Sequence, residues 1–382
     1  MKLTVGLDAS VVASSVGGTR VYALQLLNEL VALRANWTFF LYLRAESEMK
    51  ELGQLAQAEN VRARVVSGRP NAWRIQMVLP SHLERDRVDV FHSLGFFAPI
   101  RWRGIKIITV HDLNFMVTSR NWLRGPTLFR WLDLRLQAVA SIRNADTVIT
   151  DSDSSREQIT RLLGIPRDRV RVILLAADPF FSQSPGEEDL AGARALASGK
   201  PFVLFVGILS PQKNLLTLVD AYARSRLPAA GVRLVLAGSD QERYATTIRD
   251  AARAAGVAET VDLPGFVSRP MLRALYRSAM CVVLPSHGEG FGLPLVEGMA
   301  SGTPILAANR QAIPEVLGNS GVLFEPDDPA GIAALLDRIA EDAVFREELA
   351  RRSSEGRQRF SWRRTAEETA AVYESAVARR RR

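Results

Sequence analysis

Two glutamates, Glu289 and Glu297, stand on either side of seven residues that form a glycine-rich turn and the start of an apolar helix. Gly290 and Gly292 allow the backbone to turn sharply and approach a ligand closely, and Pro294 suits the first position of a helix. Backbone N–H groups at such a helix start favour a bound phosphate. Glu297 could then accept hydrogen bonds from ribose hydroxyls, and Glu289 from the hydroxyls of a sugar. An acidic first turn, which the helix dipole favours, explains a single glutamate as well, but the whole string points to a sugar-nucleotide site.

The elements that must position these glutamates are short apolar strands alternating with amphipathic helices, the pattern of parallel α/β domains. Strands are predicted at residues 3–7, 38–43, 61–66, 88–91, 105–110, 147–150, 170–174, 202–206, 233–237, 260–263, 281–284, 304–307 and 321–324. Helices are predicted at 21–33, 156–163, 215–226, 244–255, 293–300 and 361–377. A chain of 382 residues is long for one core, so we expect two domains. The polar stretch 178–200 is the best boundary between them.

Four segments resemble one protein family. Residues 289–297, Glu-Gly-Phe-Gly-Leu-Pro-Leu-Val-Glu, resemble the Glu-x7-Glu signature of the retaining glycosyltransferases of family 4, which have the GT-B fold. Residues 206–214 resemble the family's phosphate-binding strand-loop-helix, 263–268 its base-contacting loop and 109–113 its histidine strand. The resemblance covers nearly the whole chain.

The resemblance implies two Rossmann-like, doubly wound domains that face each other across a cleft. Residues 1–177, with a returning helix at 361–378, would bind the acceptor, and residues 178–360 would bind the nucleotide sugar. It also implies a metal-independent, retaining transfer of a hexosyl unit from a nucleotide diphosphate sugar to a hydroxyl of a glycan or polyprenyl-diphosphate-linked acceptor, with no other cofactor. The implied catalytic residues are His111, Lys213 and Glu289. The implied donor-binding residues are Gly17, Gly18, Gly207, Lys213, Gly265, Phe266, Val267, Glu289, Gly290, Phe291, Gly292, Leu293 and Glu297.

Lys213, one of only five lysines, lies at a predicted helix start where its charge could neutralise the donor's diphosphate and stabilise the leaving group. The family often has an arginine directly after the glycine of this strand, but this chain has Ile208, and Gln212 stands where a basic residue is frequent. Two interpretations remain open. Lys213 carries the phosphates almost alone, or a basic residue from elsewhere, such as Arg20, completes the clamp.

His111 follows a predicted strand, where a histidine can be a hydrogen-bonded residue at the edge of the core. The resemblance implies a position beside the transferred sugar, so we assign it a positioning and electrostatic role. Asp151-Ser-Asp153 looks like an Asp-x-Asp metal site, but a capping-box pattern at Ser154 and Glu157 opens the following helix. We therefore expect no metal site.

Charge and composition indicate which kinds of partner the protein could bind. Residues 1–171 hold 24 basic and 16 acidic side chains and carry the whole net charge of +8. No RNA- or DNA-binding motif accompanies this charge, so we expect no nucleic-acid partner. An anionic acceptor or membrane fits better, although solvated surface arginines explain the charge as well. The aromatic, basic segment 121–135, with Trp122, Arg124 and Arg130, either lies on an anionic membrane or packs into the core.

The location of the protein is also an expectation. There is no apolar run of about 18 residues, no signal peptide, and one cysteine, Cys281, in an apolar strand. These features favour the cytoplasm, with a peripheral position at the inner face of the cytoplasmic membrane.

Several alternatives stay open at this point. The Pro-Gln-Lys-Asn and His-Asp-Leu variants resemble family members that build bacterial polysaccharides with mannosyl or rhamnosyl units, which favours a GDP-sugar over a UDP-sugar. A sugar-nucleotide 2-epimerase on the same fold would need additional acids around the sugar ring. An inactive nucleotide-sugar-binding subunit is compatible with Ile208 in place of arginine.

Overall fold

The computed structural model describes residues 1–13, 17–113, 126–240 and 243–381, and for 126–132 the backbone alone. The chain divides into two compact units, each with its own parallel sheet. The first unit consists of Met1–Leu175 and Ser361–Arg382, and the second of Ala176–Phe360.

The sheet of the first unit has seven strands in the order β3-β2-β1-β4-β5-β6-β7, and all neighbouring pairs are parallel. The strands are β1 Thr4–Asp8, β2 Thr38–Leu43, β3 Val61–Val65, β4 Val90–Ser93, β5 Ile105–Thr109, β6 Thr147–Thr150 and β7 Val170–Val172.

The sheet of the second unit has six parallel strands in the order β10-β9-β8-β11-β12-β13. These are β8 Phe202–Val206, β9 Arg233–Ala237, β10 Val261–Gly265, β11 Cys281–Leu284, β12 Ile305–Ala308 and β13 Val322–Phe324. In both sheets the strand order reverses at one point, between β1 and β4 and between β8 and β11. Open α/β sheets bind ligands at such a point, outside the carboxyl ends of the strands.

Helices connect the strands. The α-helices are α1 Gly18–Leu33, α2 Asn71–Trp73, α3 Leu79–Arg85, α4 Pro126–Asn144, α5 Asp153–Leu163, α6 Glu187–Leu196, α7 Leu215–Arg224, α8 Tyr244–Ala254, α9 Arg269–Ser278, α10 Leu293–Ser301, α11 Ile313–Leu317, α12 Pro329–Glu341, α13 Ala343–Gly356 and α14 Trp362–Arg381. A π-helical turn, Arg74–Val78, joins α2 to α3. Longer 3-10 segments occur at Ala9–Ala13 and Glu46–Gln57, and short ones at Arg167–Arg169, Pro179–Ser182, Pro211–Lys213, Ala258–Thr260 and Arg357–Arg359.

The central strands are buried on both faces, which is why they read as continuous apolar runs. β5 and β11 are buried along their whole length, and Cys281 in β11 is a buried free thiol. Helix α14 returns to the first unit and packs against α1. Its buried positions recur every three or four residues and include Trp362 and Tyr373, so an amphipathic stripe fixes its docking.

Two details of the structure differ from what the sequence pattern predicts. The stretch 178–200 is part of the second unit and contains α6, which packs against α9 and buries Ala193. Helix α5 begins at Asp153, and its N-cap is Ser152, whose hydroxyl accepts a hydrogen bond from the Ser155 amide at 3.1 Å.

The basic end of α14 is exposed. The helix continues to Arg381. Arg379 donates a hydrogen bond to Oγ1 of Thr147 at 3.2 Å, and Arg380 donates to the carbonyl of Arg103.

Candidate functional site

Two loops at the reversal point of the second sheet are joined to each other. The loop after β8 reaches Lys213, and the loop after β11 leads through Glu289 to α10. Nε2 of Gln212 donates a hydrogen bond to the carbonyl of Gly288 at 2.8 Å, and the His287 amide donates to the carbonyl of Gln212 at 3.0 Å. The sequence predicted both loops separately, and their contact follows from β8 and β11 being neighbours.

Lys213 and Glu289 form an ion pair at the junction of these loops. Nζ of Lys213 lies 2.6 Å from Oε1 of Glu289, and the same oxygen accepts a hydrogen bond from the Ser286 hydroxyl at 2.7 Å. The lysine side chain is 19% exposed and the glutamate side chain 12%. An ammonium group has three donors, so this pair can hold the lysine in place and still present donors to a phosphate. Gln212 stands where the family often has a basic residue. Its role here is structural, because its side chain joins the two loops.

Glu297 lies on α10 in a buried position, with 9% of its surface exposed. The Tyr276 hydroxyl of α9 donates a hydrogen bond to its Oε2 at 2.7 Å. Burial raises the pKa of Glu297 to about 7, while the hydrogen bond from Tyr276 favours the charged form. The carboxylate is therefore held in one orientation by a partner that the sequence analysis did not identify. Tyr276 looks like an ordinary core aromatic in sequence.

The backbone around these side chains depends on glycine. Gly292 precedes α10 with φ of 89°, in the left-handed region, and none of the described side chains caps the helix. A Cβ at Gly238 would lie 1.7 Å from the carbonyl oxygen of Gly207, so the loops after β8 and β9 pass in close contact. Of the other predicted donor residues, Phe291 buries its side chain edge-on against Phe360. Only its backbone is available to a ligand.

The predicted base-contacting loop lies two strands from β8, at the same edge of the sheet. Gly265 ends β10 with φ of 74°, and the Gly238 amide donates to its carbonyl at 2.9 Å. Phe266 is 58% exposed, which is unusual for a large apolar side chain, and Val267 is half-buried. Ile208, where the family often has arginine, is also exposed. These residues and the Lys213–Glu289 pair share one edge of the sheet.

His111 follows β5 in the first unit and is held by an acid on the neighbouring strand. Its Nδ1 lies 2.6 Å from Oδ2 of Asp151, directly after β6. Burial lowers the pKa of His111, but the charge of Asp151 and the hydrogen bond to it raise the pKa, and the net shift is upward. Nε2 of His111 makes no hydrogen bond to any described residue. From the sequence, Asp151 was expected only to belong to a helix start and not to a metal site. The pair forms because β5 and β6 are neighbours in the sheet, which the sequence pattern does not reveal.

The remaining predicted residues of the first unit lie as follows. Gly17 precedes α1 with an extended backbone, and Gly18 is its first residue. The guanidinium of Arg20 donates one hydrogen bond to Oε2 of Glu51 at 2.9 Å and another to the carbonyl of Val12 at 2.6 Å. Trp122 and Arg124 lie outside the described residues, and of Arg130 only the backbone, within α4, is described.

Metal ligation and membrane spans were sought in the part of the chain that the structure describes. No group of three or more His, Cys, Asp or Glu side chains there could hold a metal ion. Asp153, the second acid of the Asp-x-Asp string, pairs with Arg156 on the same helix. None of the described helices combines the length and apolar character needed to cross a membrane.

Comparison with known proteins decides the family. Residues 16–179 match the model described as Glycosyltransferase Family 4, and residues 187–359 match the one described as Glycosyl transferases group 1. The D-inositol 3-phosphate glycosyltransferase of Nocardiopsis dassonvillei is 34% identical over 78% of this chain and 72% of that protein. The chain belongs to glycosyltransferase family 4. The resemblance read from the sequence is confirmed.

Other relatives of this family 4 glycosyltransferase include a mannosyltransferase and a nucleotide-bound structure. The O-antigen chain mannosyltransferase B of Escherichia coli is 28% identical over 81% of this chain and 78% of that protein. The crystal structure of Anabaena HepE in complex with UDP and glucose covers 98% of this chain and 100% of that one, with a TM-score of 0.74 and 21% identity. At that identity the likeness shows the fold. The expected GT-B class, with two Rossmann-like α/β domains, is confirmed.

Proposed function

We propose that this family 4 glycosyltransferase transfers a hexosyl unit from a GDP-sugar of the mannose or rhamnose type, with retention and without a metal ion. The acceptor would be a hydroxyl of a glycan or a polyprenyl-diphosphate-linked saccharide in polysaccharide biosynthesis. The mannosyltransferase among the relatives supports a mannosyl unit. A UDP-sugar is the second candidate, because the structural neighbour from Anabaena holds UDP.

The observation that carries the proposal is the arrangement at the carboxyl edge of the second sheet. Glu297, oriented by Tyr276, would accept hydrogen bonds from the ribose. Lys213 and the backbone from Gly290 to Leu293 at the start of α10 would hold the diphosphate. Glu289, fixed by Lys213 and Ser286, would orient the sugar. Phe266 and Val267 would contact the base from the loop that begins at Gly265.

Retention would follow the same-face route that the family resemblance implies. Oε1 of Glu289 already accepts two hydrogen bonds, from Lys213 and Ser286. These bonds suit an orienting carboxylate better than an attacking one. A donor phosphate oxygen would take the proton of the acceptor hydroxyl as the glycosyl bond breaks. Lys213 would stabilise the charge that develops on the leaving diphosphate.

His111 would contact the transferred sugar from the first unit. Asp151 holds its Nδ1, so the ring is fixed and Nε2 is the atom that can face a ligand. Because Asp151 favours the charged imidazolium, Nε2–H would donate a hydrogen bond to a sugar hydroxyl.

A thermal-shift panel of GDP, UDP, ADP and their sugars, with and without EDTA, tests the donor assignment. A ligand at about 100 times its dissociation constant adds roughly 2.7 kcal/mol, which raises the melting temperature by several degrees. We expect a GDP-selective shift that EDTA does not change. A UDP-selective shift would replace the donor class, and no shift with any nucleotide would remove the function of the Glu289–Glu297 string.

The buried Glu297–Tyr276 pair predicts a pH-dependent affinity for the donor. The carboxylate must be charged to accept two ribose hydrogen bonds, and its pKa is about 7. GDP affinity should therefore rise as the pH increases through 7. Tyr276→Phe removes the hydrogen bond that favours the carboxylate, so the rise should move to higher pH. Isothermal titration calorimetry between about pH 6 and pH 9 measures this.

The matched control for Tyr276→Phe is Tyr222→Phe. Tyr222 is a buried tyrosine of the same unit whose hydroxyl donates to the carbonyl of Val232, away from α10. Its loss should leave the pH dependence of GDP affinity unchanged. Coinciding pH curves for wild type and Tyr276→Phe would contradict the role of the tyrosine.

We also propose a peripheral position at the inner face of the cytoplasmic membrane. The excess positive charge lies in residues 1–171, and Leu134 and Leu136 of α4 are exposed. Flotation with anionic liposomes at low salt should recover the protein, and neutral liposomes should not. Failure to float with anionic lipid would defeat this location.

A further inference from the structure

A line of four buried polar side chains crosses the first unit from its last helix to α1. The Tyr373 hydroxyl of α14 lies 2.6 Å from Nδ1 of His92, and Nε2 of His92 lies 2.8 Å from Oγ1 of Thr109. The Thr109 hydroxyl lies 2.7 Å from the hydroxyl of Tyr22. None of the four is more than 1% exposed. We call these four residues the hydroxyl-imidazole chain.

The hydrogen bonds of this chain depend on one another. Burial lowers the pKa of His92 to about 3, so its imidazole is neutral, donating with one nitrogen and accepting with the other. If Nδ1–H donates to Tyr373, then Thr109 must donate to Nε2 and Tyr22 to Thr109. In the opposite tautomer Tyr373 donates to Nδ1 and Nε2–H donates to Thr109, whose own hydroxyl proton is then available to Tyr22. Loss of the Tyr373 hydroxyl therefore changes which tautomer of His92 is satisfied and, through Thr109, the hydrogen bonding of Tyr22.

The chain ends against His111. The ring of Tyr22 meets the ring of His111 edge-on, with centroids 4.7 Å apart and an interplanar angle of 82°. Asp151 holds the imidazole of His111 through Nδ1. Thr109, the last residue of β5, lies two residues before His111. The imidazole is therefore positioned by Asp151 through a hydrogen bond and by Tyr22 through ring contact.

We propose that Tyr373 and His92 are positioning residues for His111, so that the docked α14 helix sets the orientation of the imidazole during sugar transfer. This inference rests on the proposed function of His111. A role in stability alone would not need this pattern, because an apolar side chain could fill the same volume without a buried polar group to satisfy. The contact of Tyr22 with His111 gives the chain a route to the reacting sugar.

The test is Tyr373→Phe, which keeps the ring and removes one hydroxyl. GDP release from GDP-mannose in water, or from the sugar nucleotide that the thermal panel selects, gives kcat and KM. We expect kcat to fall about tenfold, with little change in KM, and the pH profile to shift in the limb that belongs to His111. The protein has four histidines, so NMR titration of the ring protons can follow the pKa of His111 directly.

Two sets of variants separate positioning from stability. Tyr42→Phe is the matched control, because Tyr42 is buried in the same unit and its hydroxyl bonds Asp86, outside the chain. It should change the melting temperature without changing the pH profile. Thr109→Val should reproduce the loss even if Tyr373→Phe folds poorly, and Thr109→Ser, which keeps the hydroxyl, should restore turnover.

The outcomes distinguish this inference from the function on which it rests. If His111→Asn keeps wild-type turnover, the role of His111 is wrong and the inference falls with it. If His111→Asn loses turnover while Tyr373→Phe and Thr109→Val keep both kcat and the pH profile, only the inference is overturned. In the His111→Asn background, Tyr373→Phe should cause no further loss, because both changes act through the same ring.

Discussion

Lys213→Ala should lower turnover by about 10²–10³-fold, while the free energy of unfolding should stay within about 1 kcal/mol of wild type. The large kinetic effect is expected because the ammonium would stabilise charge that appears only as the donor bond breaks. The small effect on stability is expected because the ion pair with Glu289 is partly exposed and because Ser286 still donates a hydrogen bond to the carboxylate.

Steady-state GDP release and chemical denaturation check the two halves of this prediction. Lys200→Ala is the matched control, since Lys200 is an exposed lysine of the same unit. A Lys213→Ala variant with wild-type turnover would remove the phosphate role of Lys213.

Glu289→Gln tests what Glu289 itself contributes. If Glu289 serves only to hold Lys213, the amide should cost less turnover than loss of the lysine. If Glu289 also orients the sugar, KM for the sugar nucleotide should rise as well.

Glu297→Ala should weaken GDP binding by about two to four orders of magnitude. Two charge-assisted hydrogen bonds to the ribose would be lost, each contributing about 1.5–3 kcal/mol. Because the pKa of Glu297 is about 7, calorimetry at about pH 8, where the carboxylate is charged, gives the full effect. The fold should tolerate the change, since a buried carboxylate is costly to keep charged.

Glu297→Gln separates the charge from the hydrogen-bonding geometry. It keeps an acceptor for the Tyr276 hydroxyl and nearly the same volume, so at pH 8 it should lose less GDP affinity than Glu297→Ala. The affinity of this variant should be almost independent of pH, because an amide does not titrate. Glu259→Ala, an exposed glutamate of the same unit, should bind GDP like wild type. Equal GDP affinity in Glu297→Ala and wild type at pH 8 would end the ribose assignment.

The sheets could be predicted from sequence because parallel strands are buried on both faces and read as apolar runs. Each predicted strand has a counterpart in the structure within a few residues. Helix α6 was missed for the converse reason. It carries three acids in its first turn and buries only Ala193, so its composition resembles a linker.

The side-chain pairs of the site could not be predicted, because they join residues that are distant in sequence. Lys213 and Glu289 are 76 positions apart, and His111 and Asp151 are 40 apart. Their contact depends on which strands are neighbours, which hydrophobic periodicity does not reveal. Tyr276 gave no signal at all, since a buried aromatic on an amphipathic helix is ordinary in sequence and its hydroxyl matters only beside Glu297.

The return of α14 to the first unit also governs the order in which the protein can mature during synthesis. The second unit is one continuous stretch, Ala176–Phe360, whereas the first is built from two stretches on either side of it. A nascent chain therefore has all of the second unit before Trp362 and Tyr373 exist to fill the core of the first. Until α14 has left the ribosome, the surface of α1 that it covers is exposed, and the unit that carries His111 matures last although it is made first.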